Sequence, residues 1–402
     1  MEQGSFKVYG YRWVLLVVFM LVVAVNQLLW ITFAAITGDA ARFYGVSDLE
    51  IGLLSLVFMA VYILVSIPAS WVIDTYGLRV GVGIGAVLTG AFGLLRGFLG
   101  TSYTGVLIAQ IGIAVGQPFI QNAVTTVAAR WFPPGERATA AGLGSLAMYL
   151  GILVGLAVTP MLTLSAGIVS MLLVYGAIAG IAAVLFLALA RERPPTPPCP
   201  PGQEARSLVT EGLRQVVHNR SFQLLMAVFF IGLGAFNAIT TWIEAILRPR
   251  GFSIAQAGMA GAAMILAGIV GALAVPMMSD RARKRKPYMV VAVAGATLGL
   301  VGFTVAPTYA ILMAAAAVFG FFLLSSGPIG FQYGAEITVP APEGTSNGLL
   351  MWIGQISGIL FIVLMDALKD AHTGAMTLPL WGLVILMLAG IWLCTRLTEV
   401  PR

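Results

Sequence analysis

Charge is scarce in this chain. Asp, Glu, Lys and Arg make up 9% of its 402 residues, and 59% are hydrophobic. Soluble domains carry roughly 25% charged residues, so this composition, with a mean hydropathy of +0.96, cannot cover a water-facing surface. Cysteine is nearly absent. Cys199, in a proline-rich stretch, and Cys394, near the last apolar run, give no disulfide framework. Histidine is as rare: His218 and His372 both fall in expected loops, which excludes an interior imidazole as proton relay or as axial ligand to a tetrapyrrole. No HExxH, Ser/His dyad or carboxylate pair lies within an apolar run, which excludes an intramembrane enzyme.

What the chain has instead is apolar blocks of about 20 to 25 residues, each able to cross a hydrocarbon core about 30 Å thick. They are read as spans 1 to 6 at 13–37, 49–74, 79–99, 104–127, 138–163 and 167–190. Spans 7 to 12 follow at 221–247, 254–279, 287–306, 308–333, 345–369 and 375–396. The pattern predicts an all-α polytopic membrane protein with 12 transmembrane helices in two six-helix bundles. The first block is too long for a cleavable signal and lacks a small-residue cleavage site, so it is expected to remain as a span. An even number of spans puts both termini on one side. Of the 22 Lys and Arg residues only Arg42, Arg96, Arg248, Arg250 and Lys369 fall on the opposite side, leaving 17 with the termini. By the positive-inside rule both termini are expected in the cytoplasm, in a multi-pass protein of the plasma (inner) membrane. The pI near 9.5 then reflects loops holding anionic headgroups, and nucleic acid is not needed to explain it.

Residues 1–190 are expected to form an N-terminal bundle, 191–220 a cytoplasmic linker and 221–402 a C-terminal bundle. The linker begins RERPPTPPCPPGQEARS, and six prolines between 194 and 201 forbid a continuous helix. The LVTEGLRQVVHNR that follows is amphipathic, with Arg214 and Arg220 on its polar side, and is expected to lie along the interface. The halves also repeat. SWVIDTYGLRVG at 70–81 and PMMSDRARKRKP at 276–287 end spans 2 and 8, with Asp280 standing 206 positions after Asp74. RWFPPGERATAAGL at 130–143 and EITVPAPEGTSNGL at 336–349 enter spans 5 and 11, matching Thr139 to Thr345 and Gly142 to Gly348. A duplicated six-span unit suggests two bundles that rock about a central site.

The Asp74-x-x-Gly77-x-Arg79 loop, its weaker second copy and RWFPPGERATAAGL resemble the major facilitator superfamily. Within it, NQLLWITFAAITGDAARFYGVS, IPASWVIDTYGLRVG, GQPFIQNAVTTVAARWFPP, GFQYGAEITVPAPEGTSNGLL and GQISGILF resemble the family of the feline leukaemia virus subgroup C receptor. Members of that family carry choline and ethanolamine and have been linked to haem. The resemblance implies a transporter whose spans 1, 4, 7 and 10 line a cavity, with 5, 8 and 11 beside them.

Asp74 falls at the cytoplasmic end of span 2, beside the turn of Gly77 and Arg79. A carboxylate there pairs with an arginine or caps a helix N-terminus. Asp74, Gly77, Arg79 and Asp280 therefore form a candidate conformational latch, with Arg130 and Arg137, which flank WFPPGE, as its partners. The plainer alternative is that these charges only mark topology.

Polar groups at membrane depth are costly and have a partner or a role. Those read near the midplane are Asn26, Gln27 and Trp30 in span 1, Gln117, Gln121 and Asn122 in span 4, and Asn237, Thr240 and Thr241 in span 7. Span 10 adds Gln332, and span 11 adds Trp352 and Gln355. No Asp, Glu, Lys, Arg or His is read at the centre of a span. Glu244, Asp366 and Asp39, at the outer ends of spans 7, 11 and 1, suggest an outer vestibule. There Glu244 either draws cations in or pairs with Arg248 one turn on. Without a central ionisable group neither a midplane proton relay nor a clamp for an anion is expected.

A tryptophan face and neutral amides suit a small organic cation. The cation–π attraction is worth roughly 2 kcal/mol when desolvated, and amide oxygens accept from an ammonium while amide N–H groups serve a hydroxyl tail. In the family that Trp30, Gln117 and Gln355 resemble, the matching tryptophan and glutamines line the choline site. Where that family often has a tyrosine this chain has Asn237, with Phe236 or Trp352 to supply the lost wall. The expectation is a secondary transporter of a choline- or ethanolamine-like cation, a facilitator working by alternating access, monomeric, with no cofactor or metal. Two alternatives stay open: a proton-coupled exporter of amphiphilic or drug-like compounds, and haem-related transport. Asn26, Gln27, Gln121 and Asn122 read as helix packing, and Trp13 and Trp131 as an interfacial belt.

Overall fold

The structure, a computed structural model, describes residues 7–198, 216–339 and 343–399. Cys199 and most of the expected interfacial helix, Arg214 included, lie outside the described residues. Helix starts are written into the local sequence. Ser102, Asn219, Ser253 and Thr308 each accept an N–H of the first turn through the side chain, and Ser253 does so in a reciprocal pair with Gln256.

Eleven helices among the described residues are long and apolar enough to cross a membrane. One of them, Pro134–Leu189, runs for 56 residues and turns at Gly167, whose φ of 80° is open to glycine and closed to most side chains. It is two spans joined through a single residue, which brings the crossings to twelve. Span 1 is jointed: helix Tyr11–Ile31 gives way to a 3-10 turn at Ala34–Ile36 and resumes as Thr37–Tyr44. Span 4 is jointed as well, with Tyr103–Gln121 followed by Val124–Trp131 and Pro118 in the turn before the break. The remaining spans are Asp48–Tyr76, Leu78–Phe98, Arg220–Thr241 with a short Ile243–Leu247 extension, Ile254–Ala282, Lys286–Val305, Tyr309–Ile337, Glu343–Ala367 and Thr377–Thr395.

The chain divides into two compact units. Residues up to Thr32 and those from Ala60 to the first break in the described chain make the first, while Phe33–Met59 and the described residues beyond that break make the second. In the first, span 1 packs on span 5 and span 3 on span 6; in the second, span 7 packs on span 11 and span 9 on span 12. Lipid is as apolar as leucine, so association of helices depends on close packing and small residues at the contact. At Gly151 a Cβ atom would lie 2.0 Å from the Ala24 carbonyl oxygen, so span 5 meets span 1 backbone to backbone. Trp13 is 41% exposed, as a belt residue should be, but Trp131 is 2% exposed. The belt reading of Trp131 is corrected: its ring packs against Tyr11, 6.1 Å between centroids, which covers it.

Gly151→Val forces the two helices apart, and overpacking of this kind costs roughly 1–3 kcal/mol. Gly142→Val, in the same helix but with nothing within 4 Å of its Cβ position, is the control. Thermal melting of the purified protein is expected to fall for the first and not the second; equal melting temperatures would refute the close contact.

Candidate functional site

In the first unit most midplane amides are already committed. Asn26 Nδ2 donates to Thr89 Oγ1 at 3.1 Å, and Gln27 Nε2 donates to Asn26 Oδ1 at 3.4 Å. Asn122 Nδ2 reaches the Ser66 carbonyl, Ser66 Oγ and Ser70 Oγ at 3.0, 3.1 and 2.9 Å, and its Oδ1 accepts from the Tyr62 hydroxyl at 2.9 Å. These bonds tie span 2 to the joint in span 4. Gln117 differs. It is 6% exposed near the middle of span 4 and has no hydrogen-bond partner among the described residues. Trp30 is buried in the last turn of the Tyr11–Ile31 helix.

In the second unit Asn237 is buried and donates to the Gly354 carbonyl at 3.4 Å, and Thr240 Oγ1 donates to the Phe236 carbonyl. Gln332 donates to Glu336 at 3.1 Å. Gln355 is half-buried and, like Gln121 in span 4, has no hydrogen-bond partner among the described residues. Phe236 is buried and Trp352 half-buried on the same two spans as Asn237 and Gln355.

The charges at the ends of the spans are organised by two glutamates that the sequence reading passed over. In the first unit Glu192 accepts the N–H groups of Leu78 and Arg79 at 3.0 and 2.7 Å and pairs with Arg130. A carboxylate at a helix N-terminus meets both unsatisfied donors and the positive end of the dipole. Gly77 makes the approach possible, since a Cβ there would lie 2.5 Å from Glu192 Oε1. Arg79 Nη2 reaches the Leu187 carbonyl at 3.3 Å, and Arg137 Nε the Phe132 carbonyl at 3.3 Å. Asp74 is exposed and close enough to Arg130 for their charges to interact, so the capping carboxylate is Glu192.

The second unit repeats the device. Glu399 accepts from the N–H groups of Arg285 and Lys286 at 2.6 and 3.2 Å. Arg285 pairs with Asp280 at 2.5 Å and with Glu336 at 3.1 Å. A signal for both glutamates was present: Glu192 and Glu399 each stand a few residues past the last span of their half.

At the opposite end of the second unit Glu244 is 2% exposed. Its Oε2 accepts the Gly38 N–H at 2.9 Å and lies 3.5 Å from Arg248 Nη1, and Arg248 also pairs with Asp48. Burial pulls the Arg248 pKa down, but the Asp48 hydrogen bond and the charges of Glu244, Asp48 and Asp39 outweigh it and hold it above the ordinary arginine value. Asp39 pairs with Arg42, and Asp366 with Lys369 at 2.5 Å. All three carboxylates expected in an outer vestibule are therefore engaged. Arg96, counted from the sequence with the loop charges, is fully buried in the last turn of span 3. Its position inside the run GLLRGF was the available signal.

Twelve apolar crossings, an internal repeat, charge gathered at helix ends and neutral amides within define a membrane transporter. The chain belongs to the major facilitator superfamily, whose sequence profile matches residues 13–362. Among its relatives is solute carrier family 49 member A3 of Danio rerio, 33% identical over 409 residues, covering 96% of this chain and 86% of that protein. Another is the choline/ethanolamine transporter FLVCR1 of Felis catus, 30% identical over 387 residues, covering 90% of this chain and 68% of that protein. Among solved structures, a bacterial homolog of the human lysosomal transporter Spinster, inward-facing and unoccupied, superposes with a TM-score of 0.75 at 16% identity over 97% of this chain and 96% of its own. A D-xylose-proton symporter superposes with a TM-score of 0.73 at 15% identity over 96% of this chain and 98% of its own. Likeness at that identity is one of fold.

Removing a capping side chain costs about 0.5–2 kcal/mol, and Glu192 is both cap and ion-pair partner. Exchanging the charges, Arg130→Glu with Glu192→Arg, keeps a pair but loses the cap, because a guanidinium accepts no hydrogen bond. The double variant is expected to melt no higher than Glu192→Gln. Recovery to the wild-type melting temperature would show that the pair alone matters.

Proposed function

We propose that this transporter carries a small organic cation of the choline or ethanolamine class. The observation that carries the reading is the contrast among the midplane amides. Asn26, Gln27 and Asn122 are committed to protein partners, and Asn237 donates only one N–H, to the Gly354 carbonyl, whereas Gln117, Gln121 and Gln355 have no hydrogen-bond partner among the described residues. An amide that no protein group engages keeps its donors and acceptor for a solute. The amide oxygen suits an ammonium and the amide N–H groups suit a hydroxyl. Trp30 adds a face that attracts a quaternary ammonium.

The proposed contacts are Trp30 and Gln117 in the first unit and Asn237, Gln355, Phe236 and Trp352 in the second. Relatives named as choline/ethanolamine transporters support the substrate class. With Asn237 in place of an aromatic wall, ethanolamine is expected to be accepted alongside choline. The carboxylates of the described spans sit towards the span ends, which supports a facilitator working by alternating access without a central proton relay. The Glu192–Arg130 and Arg285–Glu336 clusters, with Asp74, Arg79 and Asp280 beside them, and the Glu244–Arg248–Asp48 cluster are the proposed latches at the two ends. The Lys and Arg distribution supports cytoplasmic termini in a plasma membrane, and the reading needs only a monomer.

The test is uptake of labelled choline and ethanolamine into proteoliposomes. Saturable uptake is expected, unchanged when the proton gradient is dissipated. A cation–π contact worth roughly 2 kcal/mol predicts that Trp30→Ala raises the half-saturating choline concentration about 30-fold. Gln117→Leu and Gln355→Leu are expected to weaken uptake further than Asn26→Leu does per unit of folded protein. Absence of saturable uptake of either amine by the wild type would overturn the assignment.

A further inference from the structure

Arg96 and Gln110 both donate to one backbone oxygen, the Leu29 carbonyl. Arg96 Nη1 donates to the Leu29 carbonyl at 3.0 Å and to Gln110 Oε1 at 3.0 Å, and Nη2 lies 3.5 Å from Thr32 Oγ1. Gln110, also fully buried, closes the ring by donating from Nε2 to the same Leu29 carbonyl at 3.2 Å. Spans 1, 3 and 4 are thereby joined within the first unit.

The position of that oxygen explains the arrangement. The first helix of span 1 stops at Ile31, and the chain passes through Thr32, Phe33 and a 3-10 turn before helix resumes at Thr37. The last four carbonyls of a helix lose their N–H partners and carry the negative end of its dipole. At membrane depth only the protein can replace those partners. Thr32 Oγ1 serves Leu28 at 2.8 Å, and Arg96 with Gln110 serves Leu29. A guanidinium suits the task because its planar fork meets a carbonyl and an amide oxygen together while its charge faces the dipole. Two further facts give the break a meaning. Trp30 is the residue next to Leu29. The break is also where span 1 leaves the first compact unit: Thr32 belongs to it, Phe33 to the second, in which Gly38 is held by Glu244.

We propose that Arg96, seated by Gln110, is a positioning residue for the transported solute. It clamps the end of the first helix at Leu29 and so fixes the backbone that presents Trp30. Arg96 holds the chain on the first-unit side of the break, at Leu29, and Glu244 holds it on the second-unit side, at Gly38. Being fully buried, Arg96 acts through Leu29 and Trp30 and not on the solute. The inference rests on the reading of Trp30 as a substrate contact.

The full-length protein is compared with Arg96→Met, Arg96→Lys and Gln110→Leu by two measurements. In proteoliposomes Arg96→Met is expected to raise the choline KM about tenfold with Vmax per folded transporter within about twofold. Arg96→Lys, whose ammonium still reaches the Leu29 carbonyl, is expected to recover most of the loss. A fall in Vmax at unchanged KM is what a merely structural residue gives, and it would overturn the proposal. The second measurement needs no substrate: backbone amide hydrogen exchange in detergent. Arg96→Met is expected to speed exchange over residues 30–37 at least about tenfold and to leave the Arg137–Leu189 hairpin unchanged; unaltered exchange over 30–37 would refute the clamp. If the wild type takes up neither choline nor ethanolamine, the substrate reading falls, and the exchange experiment still decides the clamp. Should Arg96→Met fail to fold, Gln110→Leu keeps the charge and removes one donor. It is then expected to show the same KM shift at smaller size, and an unchanged KM there counts against the proposal.

Discussion

A backbone carbonyl at membrane depth has no water to turn to, and much of this structure follows from that single constraint. A continuous helix meets it alone. A jointed helix does not, and both joints here are surrounded by side-chain donors. At the joint of span 1, Thr32 serves Leu28 while Arg96 and Gln110 serve Leu29. At the joint of span 4, Asn122 is bound by Tyr62 and itself binds Ser66 and Ser70 of span 2. At the break in span 1 polar side chains serve the carbonyls of the interrupted helix, and at the break in span 4 they tie the joint to span 2.

The same constraint sorts the amides into those bonded within the fold and those without a hydrogen-bond partner among the described residues. A polar side chain at depth needs a partner, and close packing decides which ones find it. In the second unit the helices of spans 7 and 11 approach closely enough that a Cβ on Gly358 would lie 2.8 Å from Asn237 Nδ2. Asn237 therefore reaches the backbone of span 11 at Gly354. Gln355, one residue further along, is carried round to a different face and meets no such partner among the described residues.

The crossings and the duplication were legible in the sequence because lipid demands about 20 apolar residues per span and because repeated loops keep their spacing. The turn at Gly167 was shortened from a loop to one residue, a detail that hydropathy does not encode. Partners were less legible. Asn26 and Gln117 have the same chemistry in similar surroundings, and only the neighbour, Thr89 for one and none among the described residues for the other, separates them. Trp131 reads like Trp13 until Tyr11 is placed over it. Arg96 lies two residues from the end of its helix, where a long side chain turns either to headgroups or inward. The carbonyl that draws it inward belongs to a helix 67 positions away. Glu192 was hidden for another reason: it stands just before the run of prolines that dominates the linker.

The repeats differ in a way that separates two kinds of electrostatic requirement. Glu336 stands 206 positions after Arg130, so the sign of the charge at that site is reversed between halves. The pairing survives because the partner changes too: Arg130 meets Glu192, and Glu336 meets Arg285. An ion pair has the same energy whichever side carries which charge. The cap does not share that symmetry. The N–H groups at the start of spans 3 and 9 need an acceptor, and the helix dipole presents its positive end to it. A carboxylate is the side chain that satisfies both, and Glu192 and Glu399 supply it in both halves. Where only attraction is required the sequence is free to exchange the signs; where backbone donors must be met, it keeps glutamate.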